Sequence, residues 1–267
     1  MKVVYEQGSS PLHALNPLAK LAVLVAYSIS IFMFDSLAVE VACFLLLIIM
    51  MAIAGHGSLL SLLRSKFLLS FAFLVFFIQV LFTRGGTAYL TIPLPGFELQ
   101  ATYIGVMSGL LIAFRFLTII LASALFVATT DPNELAYSLM KAGMPYRFGF
   151  MLVTAIRFMP VFEAEANTVR YAQQARGLDI DRGGLRSIVK AARFTLSPLV
   201  VSALSKVDVL VISMEGRAFG YRPTRTFTRV FRFSMLDGVL VAISVLGLAL
   251  LLADVWLGFV PLPHLSI

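Results

Sequence analysis

Cysteine is nearly missing. Cys43 is the only one in 267 residues, so no intrachain disulfide can form and cysteine-based metal ligation is excluded. Histidine is almost as scarce, and His13, His56 and His264 lie far apart in the expected topology, which argues against a metal cluster. Charge is thin, at 13% of residues where soluble domains carry about a quarter. Catalytic signatures are also missing. No G-x-x-x-x-G-K-[ST] phosphate loop is present, so the chain is not expected to hydrolyse ATP, and there is no H-E-x-x-H. No apolar run carries acids paired as a proton relay needs; Asp237 and Asp254 stand at opposite ends of the last run. Without a convergent polar set the chain is not expected to be an enzyme, and no cofactor of its own is expected.

Apolar residues, in contrast, make up 60% of the chain and are bunched into runs close to the roughly 20 residues that cross a bilayer. Met1–Lys20 is mixed and polar and does not look like a cleaved signal peptide. Five spans are expected, at about 18–34, 37–54, 67–82, 103–128 and 236–257. Helices are the default in lipid because they satisfy their own backbone polar groups. The fold class is therefore all-α, a polytopic helical membrane protein. The outer loop 85–102 holds alternating apolar residues around Pro95-Gly96, which suggests a small hairpin or extended loop.

The excess charge sits in one place. Residues 131–233 hold 15 of the 21 Lys and Arg and 8 of the 14 Asp and Glu, so the whole net charge of +7 belongs to them. By the positive-inside bias that segment is cytoplasmic, with Lys2, Lys20, Arg64 and Lys66 on the same side. The N-terminus is then inside and the C-terminus outside a plasma membrane. Three regions follow: a four-span domain 1–129, a cytoplasmic amphipathic domain 130–233, and a final span with its tail, 234–267.

Within the basic segment, Asp131 reads as the N-cap of a short helix with Pro132 in its first turn, ended by Gly143 and Pro145. A long helical stretch is expected from Tyr146 to Arg176, broken or kinked at Pro160, with Gly177 as its cap. Gly183-Gly184 then turn the chain into a second stretch from Leu185 to Phe219, kinked at Pro198. On that stretch Leu196, Leu199, Val200, Ala203, Leu204, Val207, Leu210, Val211 and Met214 recur at three- and four-residue steps. They make an apolar stripe that needs a partner helix or the membrane interface.

Three other features stand out. Arg115 sits near the middle of the fourth span, where a charge is costly; the expectation is a structural role facing the bundle interior and binding carbonyls or a carboxylate. Gly105 and Gly109 form a G-x-x-x-G pattern of ordinary close packing. Finally, each long stretch ends with one arginine between small residues, Ala175-Arg176-Gly177 and Gly216-Arg217-Ala218. Small neighbours let another backbone approach, and the guanidinium fork suits carboxylates or carbonyls in a groove. Helix C-capping alone accounts for a single such motif; two in one segment favour docking.

These motifs resemble those of the transmembrane T components of energy-coupling factor transporters, including the cobalt- and biotin-type importers. The similarity covers nearly the whole chain. It runs through His13-Ala14-Leu15-Asn16-Pro17-Leu18-Ala19-Lys20-Leu21, Arg115, Thr130–Leu135, Arg157-Phe158-Met159-Pro160, Ala172–Gly177, Ser197-Pro198-Leu199 and Met214–Arg217. The second arginine motif departs from the family's Ala-Arg-Gly by reading Gly-Arg-Ala, which leaves Gly220 as a candidate cap. The resemblance implies that Arg176 and Arg217 sit on two coupling helices, each docked in a groove of one of two ABC-type ATPase subunits. It also implies that the 196–214 stripe meets a substrate-binding S component and that ATP and Mg are bound by the partner ATPases. Vitamins or transition-metal ions are the implied cargo. Membrane lipid is a further expected partner, and nucleic acid is not.

Two other readings are weaker on the residues. An autonomous channel or secondary transporter needs a polar path at the midplane, often with repeats, and Arg115 is the sole candidate. A membrane-surface enzyme holding anionic lipid on its basic helices lacks a catalytic set.

Overall fold

The computed structural model describes residues 5, 10–33, 36–55, 65–83, 88–94, 97–177, 185–221 and 234–257; the side chains of 11, 88–101, 185–191 and 250–257 are not among those described. Each apolar run is a helix. A short α1 (Pro11–Ala14) precedes α2 (Pro17–Met33), α3 (Leu37–Ile53) and α4 (Lys66–Phe82). A hairpin of β1 (Ala88–Leu94) and β2 (Phe97–Thr102) follows, then α5 (Tyr103–Thr129), α6 (Pro132–Lys141), α7 (Tyr146–Ala175), α8 (Leu185–Glu215) and α9 (Met235–Leu257). The architecture is that of a helical membrane protein with one small sheet. The expected turn at Gly183-Gly184 lies outside the described residues, as do Pro95-Gly96, Arg64, His56 and His264.

The hairpin has a definite register, with Ile92 opposite Leu99, Leu94 opposite Phe97 and a bulge between Ala88 and Leu90. Its last residue joins it to the helices. The buried Thr102 hydroxyl accepts from the Gly105 N–H at the start of α5 and donates to the Thr83 carbonyl at the end of α4, both at 3.1 Å. One side chain thus caps one helix and ties it to the helix before it.

The chain divides into two compact units, 1–138 with 231–267, and 139–230. In the first, α5 packs against α2, α3 and α4, while α9 packs along α2. The centre is built from Leu47, Met51 and Ala54 of α3 and Leu121, Ala122, Ala124, Leu125 and Ala128 of α5. The glycine pattern explains the closeness of α4 and α5. A Cβ at Gly105 would stand 3.1 Å from the Val80 carbonyl, and one at Gly109 would stand 3.1 Å from the Phe76 carbonyl. Without side chains there, the two backbones touch, which is how helices gain contact energy in lipid. Large apolar side chains on the other faces stay exposed, among them Phe67, Phe73, Phe32 and Ile49, as expected for helices surrounded by hydrocarbon.

Among the described residues, α5 and the stretch 192–215 of α8 are both long and apolar enough to cross a membrane by length and composition; α2, α3, α4 and the first part of α9 are shorter apolar helices. At about 1.5 Å per residue, the 17 residues of α2, α3 and α4 stand at the short end of what spans a hydrocarbon core.

Arg115 finds a carboxylate. Its Nε lies 2.9 Å from Glu40 Oε1, with the two side chains 13% and 1% exposed. The guanidinium also lies over the Phe32 ring, 5.6 Å from its centre, where the face of the ring attracts a cation. Glu40 sits in the first turn of α3. α5 is ten residues longer than α3, so the middle of α5 stands beside the beginning of α3 rather than its middle.

Candidate coupling surface

The second unit is built on α7 and α8. Neither Pro160 nor Pro198 ends its helix. Both helices run on through their prolines, so α7 is not broken at Pro160, and they end at Ala175 and Glu215. Their pairing is antiparallel. Glu165 on α7 accepts a hydrogen bond from the Ser202 hydroxyl at 2.8 Å and forms an ion pair with Lys206 at 3.1 Å. Further along α7, the Gln173 amide donates to the Phe194 carbonyl. At the other end of the pair, Phe219 lies 4.8 Å from Phe150 and 6.3 Å from Tyr146, ring centre to ring centre. This aromatic group joins the end of α8 to the start of α7. In the sequence, Tyr146 and Phe219 mark only helix bounds, and Phe150 carries no signal.

That pairing positions the two arginines. Arg176 follows the last residue of α7, whereas Arg217 lies close to the start of α7 through its neighbour Phe219. Along some 26 residues of α7, the arginines are separated by about 40 Å at 1.5 Å per residue. The structure does not bring them together; it sets them at opposite ends of one helical pair. Both are exposed, and among the described residues neither guanidinium has a hydrogen bond or ion pair.

Each tip has its own backbone ending. At the first, Arg176 N–H donates to the carbonyls of Ala172 and Gln173, Gly177 N–H donates to Gln174, and Gly177 has φ +83°. Glycine adopts that left-handed conformation without the Cβ clash other residues suffer, so it is the natural helix stop. At the second, Phe219 N–H donates to the Met214 carbonyl at 2.9 Å, and the left-handed positions are Ala218 (φ +54°) and Gly220 (φ +96°). The Gly-Arg-Ala order therefore puts a Cβ where the first tip has none. A Cβ at Gly216 would meet nothing nearer than the Ile212 carbonyl of α8, at 3.4 Å, an ordinary contact, so space does not require glycine there. Gly149 is different. A Cβ at this position would collide with the Met140 side chain, so its absence leaves room for that side chain.

The 196–214 stripe is divided by the packing. Leu199, Ala203, Leu210 and Met214 are half-covered, on the same side of α8 as Ser202 and Lys206, which face α7. Leu196, Val200, Leu204, Val207 and Val211 are exposed, and so are Val201, Val209 and Ile212, which the stripe did not include. The three- and four-residue steps identified the apolar surface, but they could not tell which part of it α7 covers.

Among the described residues no group of three or more His, Cys, Asp or Glu could hold a metal ion. An apolar helical bundle and an arginine-tipped helical pair fit a membrane-embedded transport component. Residues 8–227 match the family CbiQ, cobalt transport protein, and the chain belongs to that family. It is similar over 91% of its length to the energy-coupling factor transporter transmembrane protein EcfT of Listeria innocua serovar 6a, at 28% identity and with 94% of that relative covered. The protein of the same description from Lacticaseibacillus paracasei is 30% identical over 93% of this chain and 96% of its own length. That of Lactococcus lactis subsp. cremoris is 29% identical over 93% of this chain and 94% of its own.

Proposed function

We propose that this chain is the non-catalytic scaffold of an energy-coupling factor importer in the plasma membrane. It couples ATP hydrolysis by two ABC-type ATPase subunits to movement of a substrate-binding S component carrying a vitamin or a transition-metal ion. One observation carries this reading: two exposed arginines, each at the C-terminal end of a long helix, stand about 40 Å apart on one antiparallel pair. A separation on that scale suits two motor subunits and not a single binding site. Ala175 and Gly177 at one tip, and Gly216 and Ala218 at the other, keep the flanks small enough for a groove to close around each guanidinium. ATP and Mg belong to the partners. The exposed apolar residues of α8, from Leu196 to Val211, meet the S component and the lipid around it. The Lys and Arg bias places the second unit and the N-terminus in the cytoplasm and the C-terminus outside.

The test is Arg176→Ala combined with Arg217→Ala in the chain expressed with its ATPase partners. The double variant is expected to reach the membrane, to lose co-purification of the ATPases and to abolish ATP-driven uptake. Normal uptake by that variant would disprove the docking assignment.

A further inference from the structure

The motif from His13 to Lys20 has no part in docking, yet its residues hold the places where the chain leaves and rejoins the first unit. The chain leaves that unit after α5, through α6, and returns at α9. At the exit, Lys20 Nζ donates to the carbonyl of Thr129, the last residue of α5, at 2.8 Å, and reaches the His13 carbonyl at 3.4 Å. At the return, Asp237 occupies the first turn of α9 and is 1% exposed. Its Oδ2 accepts from the Ser234 N–H at 2.8 Å, closing the helix start as a capping box does. Its Oδ1 accepts from the Asn16 N–H at 2.9 Å. Asn16 in turn caps α2, its own Oδ1 accepting from the Leu18 N–H at 3.0 Å. Two charged groups are thereby spent on backbone partners 109 and 221 residues away in sequence. The Thr129 carbonyl is one that its own helix cannot satisfy, and it lies at the negative end of that helix, where a cation binds best.

We propose that Asn16, Lys20 and Asp237 are positioning residues that form a clamp, locking the end of α5 and the start of α9 to the start of α2. Displacement arriving through either connection then moves three membrane helices together. This rests on the coupling reading above. A bond to a charged group is among the stronger hydrogen bonds, and the burial of Asp237 keeps water from replacing its partners.

The test uses the full chain with its ATPases in lipid nanodiscs, in a Cys43→Ser background, with nitroxide labels replacing exposed residues. The label pairs are Ile29 with Val239 across α2 and α9, and Ile29 with Val127 across α2 and α5. The intact clamp is expected to give one narrow distance for each pair, with and without vanadate-trapped MgATP. Asp237→Asn, which leaves only one acceptor oxygen for two N–H groups, is expected to add a second population to the first pair when nucleotide is trapped. Lys20→Met should do the same for the second pair, and Lys20→Arg should restore it. ATPase co-purification and hydrolysis should not change. Narrow distances in every variant would overturn the clamp while leaving the docking reading intact. If Asp237→Asn does not accumulate, Lys20→Met alone decides. If even the unaltered chain takes up no ATPases, the coupling reading fails, and amide exchange on the chain alone tests the clamp. Loss of the carboxylate should then speed exchange at Asn16 and Ser234 by about tenfold, the weight of one charged hydrogen bond; unchanged exchange would overturn it.

Discussion

The two units bury their residues very differently. In the first, Met51, Leu121, Glu40 and Asp237 are almost completely hidden, and alanines, threonines and glycines fill the contact faces of α5. In the second, Met140 and Gly149 are the only buried residues among those described, and α7 and α8 touch along one line. The first unit is finished within itself apart from its lipid-facing surface. The second leaves Met151, Met159, Tyr171, Val201 and Ile212 more than 60% exposed, far more apolar surface than an isolated water-facing pair would keep. Order in the one comes from interior ties; the other holds itself together mainly along the α7–α8 contact.

The sharpest way to break this contrast is at Arg115. Arg115→Ala leaves Glu40 charged and enclosed, a change that costs about 3–5 kcal/mol for a buried pair. It should lower the unfolding temperature in detergent strongly. Converting both partners, Arg115→Gln with Glu40→Gln, should recover much of the loss, because no charge is then left alone.

Glycine substitutions separate the units next. Gly109→Ala drives a Cβ against the Phe76 carbonyl, and a helix backbone yields poorly, so a loss of about 1–3 kcal/mol is expected. Gly149→Ala meets only the flexible Met140 side chain, and Met140→Ala in the same chain should rescue it. Thermal unfolding of the three variants checks the difference.

A smaller effect, of the opposite sign, lies at the second tip. Ala218→Gly removes the penalty of a left-handed alanine and should stabilise the end of α8 by about 1 kcal/mol. Slower amide exchange at Ala218 and Phe219 would register it.

The smallest is pH-dependent. The Ser202 hydroxyl, and after it Lys206, hold the Glu165 carboxylate below its ordinary value of 4.5. A lowered folded pKa means that the contribution is complete above the unfolded value and is lost as pH falls through the folded one. Exchange protection between α7 and α8 should therefore weaken only in acid. Glu165→Gln should remove that dependence while changing little at neutral pH, since exposed pairs contribute weakly.

Helix positions were readable in the sequence because each apolar run is long and the polar breaks between runs are clear. The starts at Tyr146 and Leu185 came from Pro145 and from the Gly183-Gly184 break, both local signals. Partners were not readable. Which carboxylate meets the mid-span Arg115 was hidden, since nothing local reveals that α5 overhangs α3 and brings Glu40 beside it. Asn16 and Lys20 stood in a noticed motif, but their acceptors lie more than a hundred residues away. Pro160 does not break α7, because the surrounding helix outweighs a local cost.

Antiparallel pairing also has a geometric consequence. Because α7 and α8 run in opposite directions, two motifs placed in tandem along one chain become two like termini facing opposite ways, each a helix C-terminus closed by a left-handed residue and carrying one guanidinium. A single asymmetric polypeptide thereby acquires an approximate two-fold axis across its helical pair. Under the docking proposed above, a symmetric pair of motors would grip it through the same kind of groove twice, with Ala218 in place of glycine as the visible mark that the two sides are not identical.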